Sequence, residues 1–122
     1  MLKFANLPFE WGSLDCCLFP AKVAKALTGI DYGKFFSHRS EAEAVAYIEA
    51  AGGLEQLITQ TLGADPVLVE SLRIADPVLV DMPFVGEMLG VYVGDGRAIC
   101  KTETGVLHVP KTKILKGWSL NA

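Results

Sequence analysis

The apolar residues of this chain change their period at Gly63. Ahead of it they recur every three or four positions. Beyond it they fall into short β-branched runs punctuated by Asp-Pro, Gly-Asp-Gly and Thr-Gly. A helix repeats its faces about every 3.6 residues and a strand about every 2, so the two patterns cannot exchange roles. The expected fold class is therefore α+β, with N-terminal helices packed on a C-terminal antiparallel β-meander.

Local signals set the boundaries. Residues 1–14 read as an extended arm whose Pro8, Phe9 and Trp11 pack on the body. Asp15 is a good N-cap, and Cys16, Phe19, Val23 and Leu27 recur at helical spacing as far as Thr28, where Gly29 stops the helix. Pro20 falls on the fifth position of that helix, where it removes a backbone bond and predicts a bent first turn. A loop over 30–39 carries Tyr32, Phe35 and Phe36. Ser40-Glu41-Ala42-Glu43 is a capping box opening a second helix, with Ala44, Val45, Ile48 and Ala51 on one stripe and Gly52-Gly53 at its end. A third helix spans Leu54 to Leu62. Two strands, Pro66–Val69 and Pro77–Val80, share the run Asp-Pro-Val-Leu-Val. Leu89–Val93 and Arg97–Thr102 flank an Asp-Gly turn and predict a hairpin. Val106–Val109 follows, and Ile114–Leu120 closes the chain as a strand or a turn of helix.

A length of 122 residues suits one domain, 1–122, with one core. The net charge is −3 and the longest basic cluster is Lys111-Thr112-Lys113, which leaves no electrostatic footprint for nucleic acid. No apolar run approaches a membrane span and no secretory h-region follows Met1-Leu2-Lys3, so membrane insertion is not expected and synthesis in a reducing cytoplasm is. Three cysteines and two histidines without Cys-x-x-Cys make neither a disulfide framework nor a structural zinc site. No cofactor or metal is implied.

The chemistry-bearing stretch is Phe9-Glu10-Trp11-Gly12-Ser13-Leu14-Asp15-Cys16-Cys17. A thiol at a helix N-terminus meets unpaired N–H groups and the positive end of the macrodipole, which favour the thiolate. Cys16 is the candidate nucleophile, with Cys17 expected to point elsewhere on the helix. By itself Cys16 also reads as a small buried apolar residue, and Asp15 as a cap alone. His108, in Gly105-Val106-Leu107-His108-Val109, reads as a partly exposed strand histidine. His38 reads as a solvated loop residue. Glu10, Glu87 and Asp95 sit on turns with nothing pairing them as acid and base, and Gly94-Asp95-Gly96 opens no helix and is no phosphate loop.

Trp11-Gly12-x-x-Asp15-Cys16, the Gly90-Val91-Tyr92-Val93-Gly94 strand, Gly52-Gly53 and Trp118, in this order, resemble the NlpC-type papain-like cysteine peptidases of bacterial cell walls. The compact form is most similar to small tailed-phage proteins related to them. The resemblance implies a compact papain-like fold with the nucleophile position at Cys16, where Cys17 replaces the serine usual in the peptidases. The family's histidine, two residues before the first strand glycine, corresponds to Met88, and its polar orienter, twelve residues further on, to Cys100. Trp11 and Asp15 belong to the binding side of the motif. Methionine neither takes nor gives a proton, so the base that a thiol nucleophile needs is missing.

Three functions follow as expectations. The first is a structural subunit of a phage or prophage tail, at the distal tail or tail-tip hub, made in the host cytoplasm and carried in the virion. Its partners would be other tail proteins, met through Tyr32, Phe35, Phe36 and Phe84. The second is a peptidoglycan-cleaving cysteine peptidase in which Cys16 attacks and His108 serves as substitute base. The third is an inactive binder of wall peptides in the old cleft.

Overall fold

The computed structural model describes residues 6–83 and 86–120; Phe84 and the Phe35 side chain lie outside that description. Three α-helices, α1 (Leu18–Thr28), α2 (Glu41–Ala51) and α3 (Leu54–Leu62), precede five strands: β1 (Pro77–Met82), β2 (Gly86–Gly94), β3 (Arg97–Thr102), β4 (Gly105–Val109) and β5 (Ile114–Gly117). The strands form one sheet in the order β4-β3-β2-β1-β5, antiparallel throughout. The protein is thus an α+β fold of N-terminal helices followed by a β-meander.

The meander follows from its turns. Gly94 pairs with Arg97, and the two residues between them, Asp95 and Gly96, have φ of 52° and 71°. Positive φ at both positions is the type I′ turn whose twist matches antiparallel strands. β1 lies between β2 and β5, so Val78, Leu79 and Val80 are all buried and the run does not alternate with polar residues. One sheet face gathers Val78, Val80, Tyr92, Ala98, Cys100, Val109 and Ile114 with Leu72. Leu79 and Leu89 on the other face pack with α3 and Trp118, and Val91 and Ile99 with Phe19 and Val23 of α1. Trp118 is fully buried and donates its indole N–H to Thr59 Oγ1 at 3.1 Å, fastening the end of the chain to α3.

Three expectations change. The two Asp-Pro-Val-Leu-Val runs have different fates. Pro77 opens β1, whereas Pro66–Val69 makes a single bridge, Val67 to Gly117, and then turns into a 3₁₀ segment at Val69–Ser71. β1 finds partners on both sides, β2 and β5, and its entry is fixed by buried Asp76, which accepts the Arg73 and Leu120 N–H groups, while Asp65 is exposed. The first helix starts later than expected: the Phe19 N–H reaches the Asp15 carbonyl, but Pro20 has no N–H for the Cys16 carbonyl, and residues 16–17 form a turn ahead of α1 at Leu18. On the α2 stripe only Ala44 is buried, and Val45 is 45% exposed.

Gly90 sits in β2 where a Cβ would lie 2.7 Å from both Cys100 Sγ and the Ile99 carbonyl. Backbone cannot yield as a side chain can, so Gly90→Ala is expected to destabilise the fold by about 1–3 kcal/mol. Urea denaturation should show this as a lower midpoint with an unchanged slope.

Candidate functional site: a half-exposed thiol beside a buried aspartate–histidine pair

The site is built on a tight turn over residues 10–14, closed by Leu14 N–H to the Glu10 carbonyl at 2.8 Å and Glu10 N–H to the Leu14 carbonyl at 2.9 Å. Gly12 within it has φ +84°, and a Cβ there would meet the His38 carbonyl at 2.9 Å. The Trp-Gly pair is therefore demanded by the close passage of the 38–39 backbone as well as by the left-handed conformation.

Asp15 is fully buried. Its Oδ1 accepts the N–H groups of Cys17 and Leu18, each at 3.0 Å, and its Oδ2 accepts the Gly12 N–H at 2.9 Å. The Asp15 carbonyl accepts the Phe19 N–H at 2.9 Å, so this residue caps α1 with both side chain and backbone. The remaining position on Oδ2 is filled by His38 Nε2 at 2.6 Å. An ionised carboxylate only accepts, so Nε2 carries the proton. His38 is 3% exposed, with Trp11 and Phe36 edge-on at centroid distances of 6.4 and 6.3 Å. Its Nδ1 has no partner among the described residues. The solvated loop histidine expected from the sequence is thus a core residue joining the loop before α2 to the start of α1.

Cys16 lies in the turn just ahead of α1 and is half-buried; Cys17 beside it is buried. The two thiols do not diverge. Both precede the regular helix and their sulfurs lie within 4.8 Å of each other, and donation from the Cys17 thiol holds Cys16 below the ordinary thiol value of 9.0. Burial and the Asp15 charge oppose that shift, and the Cys16 and Cys17 N–H groups add to it. The largest cause is therefore the neighbouring thiol and not the helix terminus, whose N–H groups Asp15 already takes. Cys17 is pushed far up, first by the same hydrogen bond and then by burial. Cys100 is pushed up to about 12 by burial, with a smaller contribution from the charge of Cys16. The pattern is one thiol shifted toward the thiolate and two shifted away from it.

Cys16 opens on a cleft of about 450 Å³ between α2, the 9–11 arm and the ends of β2 and β3. Trp11, Val45, Ile48, Met88 and Leu107 supply its apolar lining. Met88, to which the resemblance assigns the peptidases' histidine position, shares the cleft with Cys16. Cys100, to which it assigns the orienter position, does not line the cleft and is fully buried in the sheet. His108 is exposed on β4, in a separate hollow with Arg97 and Pro110, and is not brought to Cys16. Tyr32 and Phe36, expected at the surface, are half-buried between α1 and α3. Lys101 lines the cleft although only 3% exposed, and its Nζ donates to the Leu7 carbonyl. Its spacing of two from Ile99 on a strand is the signal that marks it as inward-facing. No periodicity marks His38.

The donor atoms of Asp15, Cys16 and Cys17 lie within 4.8 Å of one another. Both carboxylate oxygens already accept two hydrogen bonds each, so this set offers an ion two sulfurs and no free oxygen.

An α+β domain with a low-pKa thiol at the mouth of a helix and a cleft beside it is the class that the fold and site define. The chain belongs to a family described as a domain of unknown function (DUF6950), whose model matches residues 1–120. No curated protein matches the sequence.

Two outcomes follow. Asp15→Ala strips acceptors from buried N–H groups and from His38, and is expected to cost about 3–5 kcal/mol; His38→Gln, whose amide still donates, should cost less, with both read by chemical denaturation. The pH profile of Cys16 alkylation by iodoacetamide should inflect below 9.0. In Cys17→Ala the thiol donor is lost, so the inflection should move upward and the rate at neutral pH should fall.

Proposed function

We propose that this protein is a structural subunit of a phage or prophage tail, at the distal tail or hub, that keeps the form of a papain-like peptidase domain without its proton-transfer machinery. The observation that carries this reading is the setting of Cys16. The side chain in its cleft at the family's histidine position is Met88, and His38 is held through Nε2 by Asp15. A thiolate without a base to protonate the leaving amine does not complete peptide hydrolysis. The position in the tail rests on the resemblance of the Trp11-Gly12…Asp15-Cys16, Gly52-Gly53, Gly90–Gly94 and Trp118 elements to the small tail proteins.

A second reading, a peptidoglycan-cleaving peptidase, is favoured by one observation: Cys16 is half-exposed in an open cleft with a lowered pKa. Digestion of purified peptidoglycan by the wild type and by Cys16→Ala separates the two. The structural reading expects no released muropeptides from either protein at high concentration and long incubation. Release by the wild type alone overturns it. Mass spectrometry of purified particles should also find the chain with the tail, and its absence from them would falsify the structural assignment.

A further inference from the structure

The Cys16 cleft has an acidic mouth. Glu41 at the start of α2, Glu87 on β2 and Glu103 after β3 all line it and all are exposed. No ion pair or hydrogen bond to another described residue engages their carboxylates. Lys101 is the cation lining the cleft among the described residues, and it is buried and turned onto the Leu7 carbonyl. Among the described residues the charges exposed at the opening are therefore negative, and they adjoin a low-dielectric apolar wall, the arrangement that concentrates cations.

Glu41 stands in the first turn of α2, where a carboxylate suits the helix N-terminus, but folding does not account for Glu87. Glu87 is the register partner of Asp81 across the β1–β2 pair. Like charges directly opposite on antiparallel strands destabilise the pair. Val45 leaves apolar surface open on the α2 face that meets the cleft. A departure from the rules of stable folding, the Glu87–Asp81 pair, thus borders the cleft, as at sites kept for another purpose.

We propose that this cleft docks an extended segment of a partner protein in which apolar side chains alternate with lysine or arginine. The apolar side chains would enter between Trp11, Ile48 and Met88. The cations would meet carboxylates carried on three different elements, which suits charges spaced along a chain better than a single point charge. The inference rests on the reading of the protein as a non-catalytic subunit and names what its cleft binds. Peptidoglycan digestion tests that reading; the experiment below tests the occupant, so the two can fail separately.

The probe is a fluorescent decapeptide of alternating leucine and lysine, set beside its leucine–glutamate counterpart and read by anisotropy with the full chain. The lysine peptide should bind saturably, at least about tenfold tighter than the glutamate peptide, and more weakly as salt rises. It should also slow iodoacetamide alkylation of Cys16, which shares the cleft. Glu87→Lys combined with Glu103→Lys should weaken binding about tenfold, while the melting temperature holds or rises, because the first substitution sets a cation opposite Asp81 in place of a like charge. A protein that merely failed to fold would lose both. Reversing Asp65, Glu49 and Glu70, exposed carboxylates that do not line the cleft, should leave binding unchanged. Equal affinity for both peptides overturns the proposal, as does binding lost equally in the remote variant, or an unprotected Cys16. Preferential binding of an anionic muropeptide would make the cleft a wall-peptide site instead.

Discussion

The buried carboxylate of Asp15 holds the first third of the molecule together. It starts α1, closes the turn at Gly12 and anchors the loop that carries His38. A carboxylate in a fully dry position is costly unless its lone pairs are filled, and here both oxygens accept two donors each. The pair with His38 spans twenty-three positions of chain, so one interaction sets where α2 leaves the α1 cap. The orientation of α2 in turn decides that its partly apolar face borders the Cys16 cleft and is not absorbed into the core.

That arrangement also explains the character of the thiol. Had the first N–H groups of α1 been open, they would have stabilised the Cys16 thiolate directly. Asp15 engages the Cys17 and Leu18 N–H groups, so the Cys16 and Cys17 N–H groups lower the thiol only slightly, and the Asp15 charge works against the thiolate. The adjacent cysteine supplies the compensating donor. Cys16 and Cys17 therefore form one unit, in which the buried thiol keeps its proton so that the half-exposed one can lose it. Nucleophilicity and catalysis are separable: the first needs a stabilised thiolate, the second a proton carrier within reach. The cleft holds a thiol with a lowered pKa, and at the position that the resemblance assigns to the proton carrier it holds the thioether of Met88. We therefore read it as a surface for binding, with its acidic mouth as the feature that selects a partner.

Much of the fold was legible because it rests on local rules. The capping box at Ser40, the stop glycines at 29, 52 and 63, and the Asp95-Gly96 turn act through backbone geometry over three or four residues. β3, Arg97–Thr102, and α3, Leu54–Leu62, fall where the period placed them. The failures are equally physical. The same pentapeptide leads into a strand at 76–80, where β2 and β5 flank it, and makes an isolated bridge at 65–69, because strand partners come from distant segments. Nothing within the loop of His38 announces its buried acceptor, Asp15, far upstream in the chain.

By itself, then, the sequence determined the order and type of elements, the hairpin register and the residues able to carry chemistry, since each depends on neighbours a few positions away. It also determined that Asp15 caps a helix and that Cys16 stands at its mouth. Only the tertiary structure decided which side chains share a cleft, that His38 lies against Asp15 and His108 lies elsewhere, and that Lys101 is buried while Glu87 and Glu103 stay exposed. Those outcomes depend on chain segments that meet only after folding, and on how much water each group retains when they do.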